Sequence, residues 1–214
     1  KDLDQVVEIA CAHPATATHI ATKLVRRFVS DDPPPSLIQR VAAEFTRTGG
    51  EVKPLLKTIV LSNEFQEARG SKLKRPFRYV VSALRMMAAD TNAGSGLAHH
   101  LQRMGMLPYD HPMPDGYADT PSPWLGSMLE RWNFAFSLAN DRIDSVVIPV
   151  NHIFQAIRGS EPARLFAHLT GRVPAGNEIR PLDAYRSRQA GEDNPAKNRD
   201  LLALVFSSPA FQRH

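Results

Sequence analysis

The chain has 214 residues, 43% of them hydrophobic and 22% charged, with a formal charge of +4 and a pI near 9.4. That is apolar material enough for one ordinary domain or two small ones, a globular composition, and no run approaches the roughly 18 apolar residues of a membrane helix. The single cysteine, Cys11, excludes an internal disulfide and reads as a small apolar residue beside Ile9 and Ala10.

Asp2 or Asp4 caps a first helix that runs through Val6, Val7, Ile9 and Ala10 until His13-Pro14 breaks it. The chain opens without methionine and already inside this helix. It is therefore expected to be the C-terminal part of a longer protein, with its own N-terminal portion among its partners. Pro14 suits the first turn of the next helix, 13–28. There Ala17, Ile20, Ala21, Leu24, Val25 and Phe28 fall at i, i+3, i+4, i+7, i+8 and i+11, one apolar stripe, while His19, Lys23, Arg26 and Arg27 take the other face. A proline-rich turn, 30–36, leads to a third helix, 37–46, with Ile38, Val41, Ala42 and Phe45 inward and Gly49-Gly50 as its stop. A fourth helix starts near Pro54 and ends around Ser62.

The densest charge follows: Arg69, Lys72, Lys74, Arg75 and Arg78, with no acid between them. Pro76 marks the first turn of a fifth helix whose stripe is Phe77, Val80, Val81, Leu84 and Ala88, and Leu97, Leu101 and Met104 define a sixth. Residues 105–123 carry Pro108, Pro112, Pro114, Pro121 and Pro123, which rule out regular structure, yet Leu107, Tyr109, Met113 and Tyr117 are too apolar for disorder. Such a loop is expected to pack over the helices. A long helix, 124–139, would bury Trp124, Met128, Trp132 and Phe136 as an aromatic seam. Further helices are predicted at 149–157, 162–169 and 200–207, with 171–198 irregular apart from one short helix at 182–188. Leu55-Leu56, Ser62 and Phe65-Gln66 recur in frame as Leu201-Leu202, Ser208 and Phe211-Gln212, each a helix ended by serine with an aromatic folding back. The expected fold is an all-α, orthogonal or antiparallel multi-helix bundle, a single domain over 1–214 that could divide into halves 1–104 and 122–214 about the proline-rich loop.

Phosphate-loop, zinc-helix, nucleophile-elbow and paired-cysteine signatures are all missing, and Gly94-Ser95-Gly96 lacks the third glycine and preceding strand of a dinucleotide site. His99 and His100 diverge by about 100° on a helix, so at most one could share an ion with Asp110, His111, Asp115 or Asp119. No ligand spacing supports one; no metal or cofactor is expected. His13 and His19 flank a helix junction, where such a residue caps or braces a helix, or acts as a base near neutral pH. The candidate anion-binding residues are Lys72, Lys74, Arg75 and Arg78 at a helix start, where the helix dipole adds to their charge, together with Arg26. Nucleic acid is disfavoured, since only Phe77 and Tyr79 interleave with these charges and Phe77 is assigned to the core.

Four stretches agree in order and spacing with one family: HPATATHIATKLVRRFVSDDPPPSLIQRVAAEF, TGGEVKPLLKTIVLSNEF, KLKRPFRYVVSALR and LQRMGMLPYDHPMPDGYADTPSPWLGSMLERWNFA. Together they resemble the bacterial domain family of unknown function numbered eighteen hundred, and the closing SSPAFQ resembles its usual ending. The chain departs from that pattern at Gly116-Tyr117, where the family has glycine-tryptophan. The resemblance implies the C-terminal part of an exported bacterial protein, periplasmic or extracellular, and assigns no reaction. The expectation is a non-catalytic binding or assembly module that meets an acidic polysaccharide or a protein surface through its basic helix start. The alternative is an enzyme, hydrolytic in type, using His13, His19 or His111 with Asp115 near the proline-rich loop.

Overall fold

A computed structural model describes residues 2–188 and 195–214. Among the described residues it contains fourteen helices and one two-residue antiparallel ladder, an all-α protein. None of these helices is long and apolar enough to cross a membrane. The chain divides between Lys72 and Leu73 into two compact units.

The first unit holds α1 (Asp2–Ala12), α2 (Pro14–Phe28), α3 (Pro35–Thr48), α4 (Val52–Val60) and α5 (Asn63–Glu67). The expected start of α2 is present: the His13 Nδ1 accepts the Ala15 N–H at 3.2 Å, and Pro14 fills the first position, where a missing N–H costs nothing. Ala17, Ala21 and Val25 are buried on the predicted stripe. At its end Phe28 is 44% exposed and Val29 is buried instead, as the chain leaves the helix. Leu37 and Val41 of α3 and Leu55 and Ile59 of α4 complete the core of this unit. Gly49 ends α3 in the left-handed region at φ 65°, a conformation that costs glycine least. The apolar residues of α1, Leu3, Val6, Val7 and Ile9, are exposed.

The second unit holds α6 (Pro76–Met86), β1 (Asp90–Thr91), α7 (Ser95–Arg103), α8 (Ser122–Leu125), α9 (Met128–Ala139), β2 (Val146–Val147), α10 (Val150–Ala156), α11 (Pro162–Thr170), α12 (Gly176–Arg188), α13 (Pro195–Ser207) and α14 (Pro209–Gln212). Its core is built where α9 lies along α13, with Phe134, Ala135 and Leu138 facing Leu201, Leu202 and Val205. β1 and β2 pair Asp90 with Val147 and Thr91 with Val146. Residues 105–123 lie wholly within this unit. The Tyr117 hydroxyl donates to the Leu107 carbonyl at 2.7 Å, the Trp124 indole donates to the Ala118 carbonyl at 3.2 Å, and Trp124 is buried, while Tyr109 and Met113 remain exposed.

Three local readings change. The helix expected over 124–139 is two, because the Ser127 hydroxyl donates to the Trp124 carbonyl at 2.9 Å and draws the backbone out of the helical ladder between α8 and α9. The α6 stripe is Tyr79, Val80, Ala83 and Met87, with Phe77 44% exposed, so Tyr79 rather than Phe77 belongs to the core. The short helix expected at 182–188 is present but starts earlier, as α12 from Gly176, and α13 already begins at Pro195; residues 189–194 lie outside the described residues. α12 starts because Glu178 accepts the Ala175 N–H at 2.8 Å and holds Arg172 through two bonds at 2.6 and 2.7 Å. The recurring serines do the same work in both places. Ser62 accepts the Phe65 N–H and donates to the Ile59 carbonyl, and Ser208 accepts the Phe211 N–H and donates to the Val205 carbonyl.

Candidate functional site

The predicted basic residues are divided between the two units. Lys72 and Arg26 belong to the first unit. Lys72 is 5% exposed, and its ammonium donates to the Asp31 carboxylate and, at 2.7 Å, to the Arg26 carbonyl. It is consumed by the fold, as a desolvated cation must be. Lys74, Arg75 and Arg78 belong to the second unit. Arg75 pairs with Asp119 at 3.3 Å, and Arg78 is exposed on α6.

The Lys74 ammonium stands 3.8 Å from the Phe211 ring centroid. Burial, aided by Arg78, lowers its pKa to about 8. The unfolded chain therefore holds this proton more tightly, so the cost is full below about pH 8 and disappears as pH rises through 10.5. Lys74→Met is expected to raise stability by about 1 kcal/mol at neutral pH, because the ring face and partial solvation offset much of the burial cost. Urea titrations should show the gain closing above pH 10.5.

The candidate histidines have structural surroundings. His13 is the α2 cap, and His19 is exposed on the same helix. His111 keeps Nδ1 at 3.3 Å from the Met113 N–H and its ring 4.6 Å from Tyr117, and Asp115 is exposed in the same loop. Neither His111 nor Asp115 lines the clefts of the second unit described next. Among the described residues no group of three or more His, Cys, Asp or Glu is placed to hold a metal ion.

The residues that do converge sit on α9. Its buried stripe is Arg131, Phe134, Ala135, Leu138 and Ala139, which turns Trp132 and Phe136 outward, 45% and 41% exposed. The aromatic seam expected in the core is thus half surface. A reading by the complete i, i+3, i+4, i+7, i+8 series, which Arg131 alone interrupts, would have found this; ring size pointed the other way.

Phe136 lines two clefts. One, of about 340 Å³, lies between α7 and α9 and is lined by His99, His100, Arg103, Glu130, Asn133 and Arg142 among others. Arg103 and Glu130 form a bidentate pair at 2.7 and 2.8 Å, and Arg103 holds the Glu130 carboxyl below the usual carboxylate range. His100 packs edge-on to Phe134 at 5.5 Å with its Nδ1 buried and unpartnered. Burial, then His99 and Arg103, keeps its imidazole below the ordinary histidine range, against the pull of Glu130. Arg142 has no carboxylate partner among the described residues. Its loop is fixed: Asp141 pairs with Arg199 at 2.6 Å, and the Asp144 backbone comes so close to Gly96 that a Cβ there would stand 3.0 Å from it.

The second cleft, of about 580 Å³, runs between α9 and the α12, α13 and α14 helices. Trp132, Phe136, Pro181, Leu182, Leu204 and Pro209 give it apolar walls. Its polar groups are few and mostly engaged, Glu178 by Arg172 and Ser208 as the α14 cap. Ser207 contributes a buried hydroxyl without a hydrogen-bond partner.

The family model described as "Protein of unknown function (DUF1800)" matches residues 1–213, and the chain belongs to that family. No curated protein and no solved structure matches it.

Proposed function

We propose that this member of the DUF1800 family is a binding module that holds an anionic group, a carboxylate or sulfate, in the cleft between α7 and α9. The observation that carries the reading is the charge balance of that cleft. Arg103 and Arg142 line it with His99 and His100, and the one carboxylate, Glu130, is already bound in both directions by Arg103. An entering anion would meet Arg142 without having to displace an acid. Binding is favoured over catalysis because the same pairing leaves Glu130 unavailable as a base beside the two imidazoles. The acidic polysaccharide or protein surface expected from the sequence narrows here to an acidic group small enough to enter the cleft. The exported setting implied by the family resemblance is one where acidic polysaccharides are met.

The test is a calorimetric titration with inorganic sulfate and with glucuronate at rising ionic strength. Affinity should fall as salt screens the partly exposed charges. Arg142→Ala should weaken binding about tenfold or more, the size of a charge-assisted contact. Affinity unchanged by salt and by Arg142→Ala refutes the reading.

A further inference from the structure

Phe136 is a wall of both clefts, so the apolar cleft lies one side chain away from the cleft that Arg142 lines. We propose that the two clefts form one composite site for a monomeric long-chain carboxylate, the acid group in the α7–α9 cleft and the alkyl chain along Trp132 and Phe136. This rests on the anion-binding reading above and extends it to the body of the ligand.

Two observations select an alkyl chain over a sugar ring. Leaving Trp132 and Phe136 45% and 41% exposed at successive turns of one helix is costly unless something apolar covers them. The wall formed by Pro181, Leu182, Leu204 and Pro209 is apolar, and of the cleft's polar side chains Glu178 is held by Arg172 and Ser208 by its cap, so few groups, Asn177 and the Ser207 hydroxyl, are left to replace the water that the hydroxyls of a sugar ring would lose. A volume of about 580 Å³ falls within the roughly 300–1,000 Å³ of small-molecule sites. Charge complementarity orients the chain, since the cationic lining lies on the Phe136 side.

The experiment is a chain-length series, octanoate, decanoate and dodecanoate below their aggregation limits, followed through tryptophan emission. Trp124 is buried and Trp132 exposed, so the ligand-dependent signal should belong to Trp132 and vanish in Trp132→Phe. The dissociation constant should fall about fourfold per added methylene in the wild type and in Trp132→Phe, the latter read by calorimetry. Trp132→Ala should flatten that slope while its thermal unfolding stays unchanged, and Arg142→Gln should remove the preference for dodecanoate over dodecanol. Sulfate binding with no dependence on chain length overturns the composite site and leaves the anion reading standing. Dodecanol binding as tightly as dodecanoate, with no response to sulfate, overturns both. Association with phosphatidylglycerol vesicles but not with free dodecanoate overturns the proposal in favour of a membrane surface.

Discussion

Arg131→Ala is expected to destabilise the second unit by about 3–5 kcal/mol. Arg131 is 0% exposed, and no carboxylate pairs with it among the described residues. Its guanidinium donates to the Gln212 side-chain oxygen and to the Lys74 carbonyl, both at 2.8 Å, and stacks 5.3 Å from the Tyr79 ring centre. Nε finds no partner, and burial draws its pKa down to about 10, with Tyr79 resisting. Arg131 therefore joins three segments distant in sequence: the entry to α6, the middle of α9 and the closing α14. The join is doubled by Tyr79, whose hydroxyl donates to the Arg131 carbonyl at 3.1 Å, and by the Lys74 N–H to the Gln212 carbonyl at 2.8 Å.

Truncation to alanine opens a cavity, orphans the Gln212 oxygen and leaves the Lys74 carbonyl without its donor. Arg131→Met keeps most of the volume and removes the desolvated charge, so it should cost only about 1–2 kcal/mol. Adding Gln212→Leu to it should then cost less than the two single changes summed, because the partners are removed together. Both tryptophans lie in this unit, so urea unfolding followed by their emission reads it directly. Arg131→Ala as stable as wild type would show that the stack and its two hydrogen bonds contribute nothing net.

How much of this was visible beforehand depends on whether a residue's role is set locally. α2 was legible to its cap, because His13, Pro14 and the Ala17 to Val25 stripe all act within one helix. The α6 stripe was misread because Tyr79 and Phe77 are equally plausible by periodicity. The choice falls to the Tyr79 hydroxyl, which needs the Arg131 and Phe206 carbonyls, and no local pattern announces those. Only the second half of α12 is legible, as the short helix 182–188; its first half is masked by polarity, because the helix fully buries Leu182 alone, contains Pro181, and depends on the Arg172–Glu178 clamp in place of an apolar face. The clefts were the least legible part, since their walls come from α7, α9, α12, α13 and α14 and only folding brings them together. For His99 and His100 the sequence offers His111 and aspartates of the proline-rich loop as partners, whereas their cleft is shared with Glu130 and Arg142.

Asp31→Ala is expected to destabilise the first unit by about 3 kcal/mol while leaving anion binding untouched. A basic run read from sequence invites the idea that its members face a partner. Lys72 faces inward instead, 5% exposed, with Asp31 and the Arg26 carbonyl as its acceptors. Removing Asp31 strands an ammonium that water cannot reach, and the backbone oxygen alone does not balance it. The Asp31 side chain is 22% exposed, which keeps the cost at the low end of what losing one partner of a buried pair brings. Lys72→Met should cost less than Asp31→Ala, because a partly solvated carboxylate left behind can be hydrated. The double change should recover most of the loss, giving a coupling energy well above the 0.2–1 kcal/mol of about any exposed pair. This unit contains no tryptophan, so hydrogen exchange at the buried α2 and α3 positions, Val25 and Val41, is the measurement. A surface role for Lys72 predicts the reverse pattern, lost sulfate affinity in Lys72→Met with exchange unchanged, and the two accounts cannot both survive one pair of variants.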